Sequence, residues 1–156
     1  MVTAGTVLWF GQGKDERSID IGRCDRLPQV KYGADLVGAI VLEVNGVEVL
    51  DRDLADDIVM MWTYVANVVN EYRNGRPART SLPDQGICFS LNPLPRGQIL
   101  VSLEGAGDKR AASADAEEVL FALRFAGNEF FDKMEELTGR FWPKVRSRLN
   151  SGSEFQ

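Results

Sequence analysis

The chain has 156 residues, 44% of them hydrophobic and 26% charged, a composition that suits one globular domain and excludes long disordered or low-complexity tracts. Its 23 acidic and 18 basic residues give a net charge of −5 and a pI near 4.8, which argues against nucleic acid as a partner, because phosphate contacts need a surplus of Lys and Arg. There is no histidine, which removes Ser-His-Asp and Cys-His nucleophile activation, His-ligated zinc and the commonest general base at neutral pH.

In chain order, residues 6–10 (TVLWF) are β-branched and aromatic and predict a strand. A turn at 11–15 leads to residues 17–22, where Ile19 and Ile21 alternate with Ser18 and Asp20 as in a half-buried strand. Residues 24–34 read as irregular, with a short strand at 29–32. Asn45-Gly46 between the apolar runs 39–44 and 47–50 is a strong hairpin signal, since both turn residues need positive φ. The spacing then predicts a helix over 51–74. Asp51 or Asp53 would cap it, Gly75 would stop it, and its apolar arc is wide enough for a central, largely buried helix. A loop over 76–83 precedes two alternating strands, 87–91 and 98–104, joined by a turn rich in Pro and Gly. A polar loop over 105–112 leads to a second long helix over 114–138, where Asp115 and Glu118 resemble a capping box. Gly139 ends that helix, and Pro143 opens a short one reaching residue 150.

Hairpins dominate this order, and no β-α alternation occurs. The expected fold is therefore α+β: a mainly antiparallel sheet of five to six strands, covered on one face by two long helices and a short C-terminal helix, a two-layer sandwich. Residues 1–150 form the expected single domain. Residues 151–156 read as a polar tail, and Gly152-Ser153-Glu154-Phe155 is also what two adjacent cloning sites encode. No run is apolar enough to cross a bilayer and the first residues lack a signal-peptide pattern, so neither a membrane partner nor export is expected. Cys24 and Cys88 then read as reduced, largely buried thiols in a cytoplasmic protein.

Gly11-x-Gly13 lacks the third glycine of a dinucleotide fingerprint. Neither a phosphate-binding GxxxxGK[ST] loop nor a GxSxG elbow occurs, and no cofactor is expected. Asp51, Asp53, Asp56 and Asp57 are the densest carboxylate group. They are candidates for a divalent metal, against the plainer reading that acids in a first helical turn offset the helix dipole. Arg73, Arg76, Arg79 and Arg96 are candidates for gripping an anion, although basic residues at a helix C-terminus already gain from the dipole.

The second long helix carries the sharpest candidate. Phe121 and Phe125 lie four residues apart, roughly 100–140° round from the core stripe marked by Leu120. Glu118, Glu129, Asp132 and Glu136 flank them, an apolar anchor inside an acidic rim that would steer a basic partner. Two other readings stay open. The final segment with Phe141, Trp142, Val145 and Leu149 folds back over the rings while its basic residues meet the acids, or the patch is a homodimer contact.

Three functional classes follow. The first is a non-catalytic protein-binding domain, physically like an immunity protein or antitoxin that inhibits a basic partner. The second is a small-molecule or nucleotide sensor using the arginines, and the third a carboxylate- or metal-dependent enzyme.

Overall fold

The computed structural model describes residues 1–11, 13–28, 36–82 and 86–152. The strand expected at 29–32 and the tail from residue 153 lie outside them. The order is β1 (Val2–Phe10), β2 (Arg17–Asp20), β3 (Val37–Val44), β4 (Val47–Leu50), β5 (Asp56–Asp57), α1 (Ile58–Arg73), β6 (Ala78–Ser81), β7 (Cys88–Leu94), β8 (Gln98–Gly105), β9 (Asp108–Asp115), α2 (Ala116–Thr138) and α3 (Pro143–Leu149).

The fold is α+β and its strand pairings are antiparallel, but the expected single sheet is two sheets. One runs β2-β1-β3-β4 with β5 added to β3, and the other runs β6-β7-β8-β9. β4 and β9 lie side by side without a backbone ladder between them. Side chains join them instead: Asn45 Nδ2 donates to the Ser113 carbonyl at 2.8 Å, and Arg110 Nη1 donates to the Glu48 carbonyl at 3.2 Å. Arg110 also pairs with Asp51 and Asp108, each at 2.7 Å, so one guanidinium closes the seam.

The expected polar loop over 105–112 is mostly strand β9. Its inward positions are Arg110, Ala112 and Ala114, too small or too charged to give an apolar alternation, and β8 supplies the ladder partner. Ala106 (φ 53) and Gly107 (φ 80) form a two-residue turn of the same kind as Asn45 (φ 47) and Gly46 (φ 88). The loop expected over 76–83 contains the edge strand β6, four residues long and paired to β7. The first helix starts at Ile58 and not at residue 51, because Asp56 and Asp57 are held as a short strand against Val37 and Gly38. Its cap is Asp57, whose Oδ1 accepts from the Met60 amide at 3.1 Å.

α1 is the buried element that the apolar arc predicts: Ile58, Met61, Trp62, Val65, Ala66, Val68 and Val69 are all buried. It packs on β3, β6 and β7, while α2 packs on β1 and on the turn at Ile21–Arg23. Each long helix therefore reaches the sheet it does not follow in the chain, and buried residues of both sheets and all three helices belong to one core cluster. The fully buried Trp62 ring stacks on Phe130 at 6.4 Å, and its Nε1 donates to Thr6 Oγ1 on β1 at 3.0 Å. Gly127 of α2 lets both Trp62 and α3 approach: a Cβ there would lie 2.4 Å from Leu149 Cδ2 and 3.0 Å from the Trp62 ring.

Two substitutions test this notch by urea denaturation. Leu149→Ala should cost about 2–4 kcal/mol, a large-to-small change at a fully buried site. Gly127→Val should cost about 1–3 kcal/mol by overpacking against groups that cannot both retreat.

Candidate functional site

On α2, Asp115 caps the first turn by accepting from the Glu118 amide at 3.1 Å. Ala116, Val119, Leu120, Leu123, Gly127, Phe130, Phe131 and Met134 turn inward. That choice rotates Phe121 and Phe125 into solvent, 57% and 64% exposed, with ring centroids 6.1 Å apart and planes at 25°. A buried aromatic side chain gains about 1.5–3 kcal/mol, and two adjoining rings forgo most of that here. Scattered exposed hydrophobics are ordinary, whereas these two rings stack on each other beside a cleft.

The C-terminal segment does not cover these rings. α3 docks on α1 and α2, with Leu149 in the Gly127 notch and Trp142 against Phe131 at 5.7 Å. Only the electrostatic half of the fold-back occurs. Arg146 pairs with Asp132 at 2.6 Å and with Glu135 at 3.0 Å. Burial opposes the Arg146 charge, but its hydrogen bonds to Asp132 and Glu135 outweigh that and hold its pKa above the ordinary value.

Beside the rings runs a cleft of about 490 Å³, lined by Phe121, Phe125, Arg124, Asn128, Glu129, Asp132, Lys133, Glu136 and Gly22. Arg124 sits over the Phe121 ring at 5.8 Å. Glu136 is paired with Lys133 at 3.7 Å, and Asp132 is taken by Arg146. Glu129 is thus the cleft carboxylate with no ion pair among the described residues. Glu118 stands apart at the start of α2, 3.6 Å from the Met1 nitrogen. The rim expected to be acidic is therefore mixed. Arg124 and Lys133 escaped the sequence reading, although the first is three residues from Phe121 and the second four from Glu129, both same-face spacings. Gly22 carried no sequence signal, because only the tertiary fold brings it to α2.

Burial pushes the pKa of the nearby Cys24 thiol up, with Lys133 opposing, and its Sγ donates to the Asp20 carbonyl at 3.6 Å. Cys24 is buried and Cys88 half-buried, and neither is in a disulfide.

The arginines are not gathered into one anion site. Arg73 donates to both Glu117 oxygens at 2.8 and 2.9 Å, and Arg76 pairs with Glu71 at 3.4 Å. Arg79 lines a cleft of about 480 Å³ on the second sheet, shared with Ser90, Ser102 and Glu104. Arg96 stands exposed at φ 63 in the tight turn between β7 and β8. The carboxylates are likewise dispersed. Asp51 holds Arg110 and accepts from the Asp53 amide at 2.9 Å, Asp56 accepts from the Asp57 amide at 2.8 Å, and Asp57 caps α1. Among the described residues no three His, Cys, Asp or Glu side chains are placed to hold a metal ion.

These assignments can be tested. Asp57→Ala should cost about 1 kcal/mol, as loss of a helix cap, in chemical denaturation. The Arg73 hydrogen bonds hold the Glu117 carboxyl below its ordinary value of 4.5. Because the folded value is the lower one, that pair adds stability which is present above pH 4.5 and lost as pH falls through the lowered value. Glu117→Gln should therefore flatten the acid limb of a Tm–pH profile below pH 4.5. Phe125→Ala with Glu129→Lys should leave the neutral-pH Tm nearly unchanged, because both side chains are exposed.

No protein-family model matches the chain, and no curated protein or solved structure matches it either. The functional reading therefore rests on the chemistry of the site.

Proposed function

We propose that this chain is a non-catalytic protein-binding domain that docks a partner on the exposed face of α2, in the way an immunity protein or antitoxin inhibits a basic partner protein. The observation that carries the reading is the stacked pair Phe121 and Phe125, left in solvent beside a charged cleft although the same helix buries Phe130 and Phe131 completely. Rigid aromatic anchors with a charged surround are the usual makeup of a binding hot spot. The net charge of −5 and the unpaired Glu129 favour a basic partner, while Asp132 and Glu136 act at the rim and Glu118 stands away from it at the start of α2. The rival chemistries have less support. The candidate metal carboxylates and anion-binding arginines serve caps, turns and internal ion pairs, or stand apart.

A second reading has one observation behind it. The cleft volume of about 490 Å³ is within the range of small-molecule sites. A ligand occupying it at 100 times its dissociation constant would add about 2.7 kcal/mol to stability.

Native mass spectrometry of the protein purified from its own host separates these readings. The expected result is a heteromeric mass that disappears in the Phe125→Ala/Glu129→Lys variant. A bare dimer lost in the same variant assigns the face to self-association, and a monomer with a small added mass favours the sensor.

A further inference from the structure

The cleft beside Phe121 and Phe125 does not end at α2. A second cleft, of about 410 Å³, lies on the first sheet and is bordered by Thr3, Gly5, Val41, Asp20, Arg23 and Arg52. The two clefts share Gly22 and Glu129. These residues face each other, since a Cβ on Gly22 would lie 3.6 Å from Glu129 Oε2, so together they form a saddle between the two hollows.

Two glycines open this path, and neither is demanded by its own backbone. Gly5 and Gly22 both lie outside the left-handed region. Nothing stands within 4 Å of the place a Gly5 side chain would occupy. Gly5 is in the middle of β1, paired with Val41, where a side chain would normally add packing. A glycine inside a strand with open space above it is suited to close approach by another backbone. The charges along the path are ordered. The apolar pair Phe121 and Phe125 comes first, then the unpaired carboxylate Glu129 at the saddle. Beyond it stands Arg23, a cation with no ion pair among the described residues, whereas Arg52 is held by Asp20 at 3.6 Å and Ser18 at 2.7 Å.

We infer that the two hollows are one peptide-binding groove, whose occupant is an extended segment of a partner protein with an apolar residue, then a Lys or Arg, then an acidic residue. The inference rests on the protein-binding reading and adds the form and chemistry of what is bound. The apolar residue packs on Phe121 and Phe125, and the basic one donates to the Glu129 carboxylate. The segment's backbone passes over Gly22 and Gly5, and its acid accepts from Arg23.

The test is selection of a displayed random dodecapeptide library on the whole protein, followed by affinity measurement of the enriched peptides. Enriched peptides should carry an apolar residue followed within a few positions by Lys or Arg. Their affinity should fall about tenfold or more on Glu129→Lys, the weight of a charge-assisted hydrogen bond. A similar fall is expected on Gly22→Leu, with Gly22→Ala, whose methyl makes only ordinary contact, close to the parent. Reversing the peptide's basic residue to Glu should restore binding to Glu129→Lys, a rescue that misfolding cannot imitate. Peptides lost on Phe125→Ala but indifferent to Glu129→Lys and Gly22→Leu would overturn the groove and spare the aromatic face. Peptides indifferent to all three, or no enrichment at all, would overturn both.

Discussion

The structure depends on the packing of Trp62 against the one position of α2 that has no side chain. The indole is fully buried. Its N–H reaches Thr6 on the first sheet, its ring lies on Phe130, and Gly127 leaves room for it beside Leu149 of the last helix. One residue of the central helix thereby ties together a strand, the second long helix and the C-terminal helix. A buried indole N–H without a partner would cost about 1–3 kcal/mol, so the buried Thr6 hydroxyl that accepts from it fixes the register between α1 and β1.

This constraint reaches the surface. With Gly127, Phe130 and Phe131 turned inward, helical geometry leaves no choice about Phe121 and Phe125. α3 could shield them only by leaving the notch at Gly127, and it is held there by Leu149, by Arg146 on Asp132 and Glu135, and by the paired amides of Asn128 and Asn150. The aromatic face is thus a consequence of how the core is packed.

Most of the charged residues that looked available for chemistry have structural work. Arg110 joins the two sheets through Asp51, Asp108 and the Glu48 carbonyl, Asp57 caps α1, and Arg73 fastens the end of α1 to the start of α2 through Glu117. Within the two clefts beside α2, Glu129 and Arg23 have no ion pair among the described residues, and Arg124 lies over the Phe121 ring.

The sequence by itself determined what depends on local geometry. The Asn45-Gly46 hairpin, the buried stripe of α1, the cap and glycine stop of α2, and the outward pair Phe121 and Phe125 follow from turn chemistry and from a period near 3.6, which need no knowledge of neighbours. Tertiary structure alone decided the rest. β9 and β6 carry too little apolar alternation to announce themselves and exist because β8 and β7 offer ladder partners. The start of α1 moved to Ile58 because β3 captured Asp56 and Asp57. Likewise, the pairing of Asp132 with Arg146 and the meeting of Gly22 with Glu129 join residues distant in sequence. Periodicity reports which face of an element is apolar. It is silent on which element covers that face and on which charges find each other, because those are settled by the packing of the whole chain.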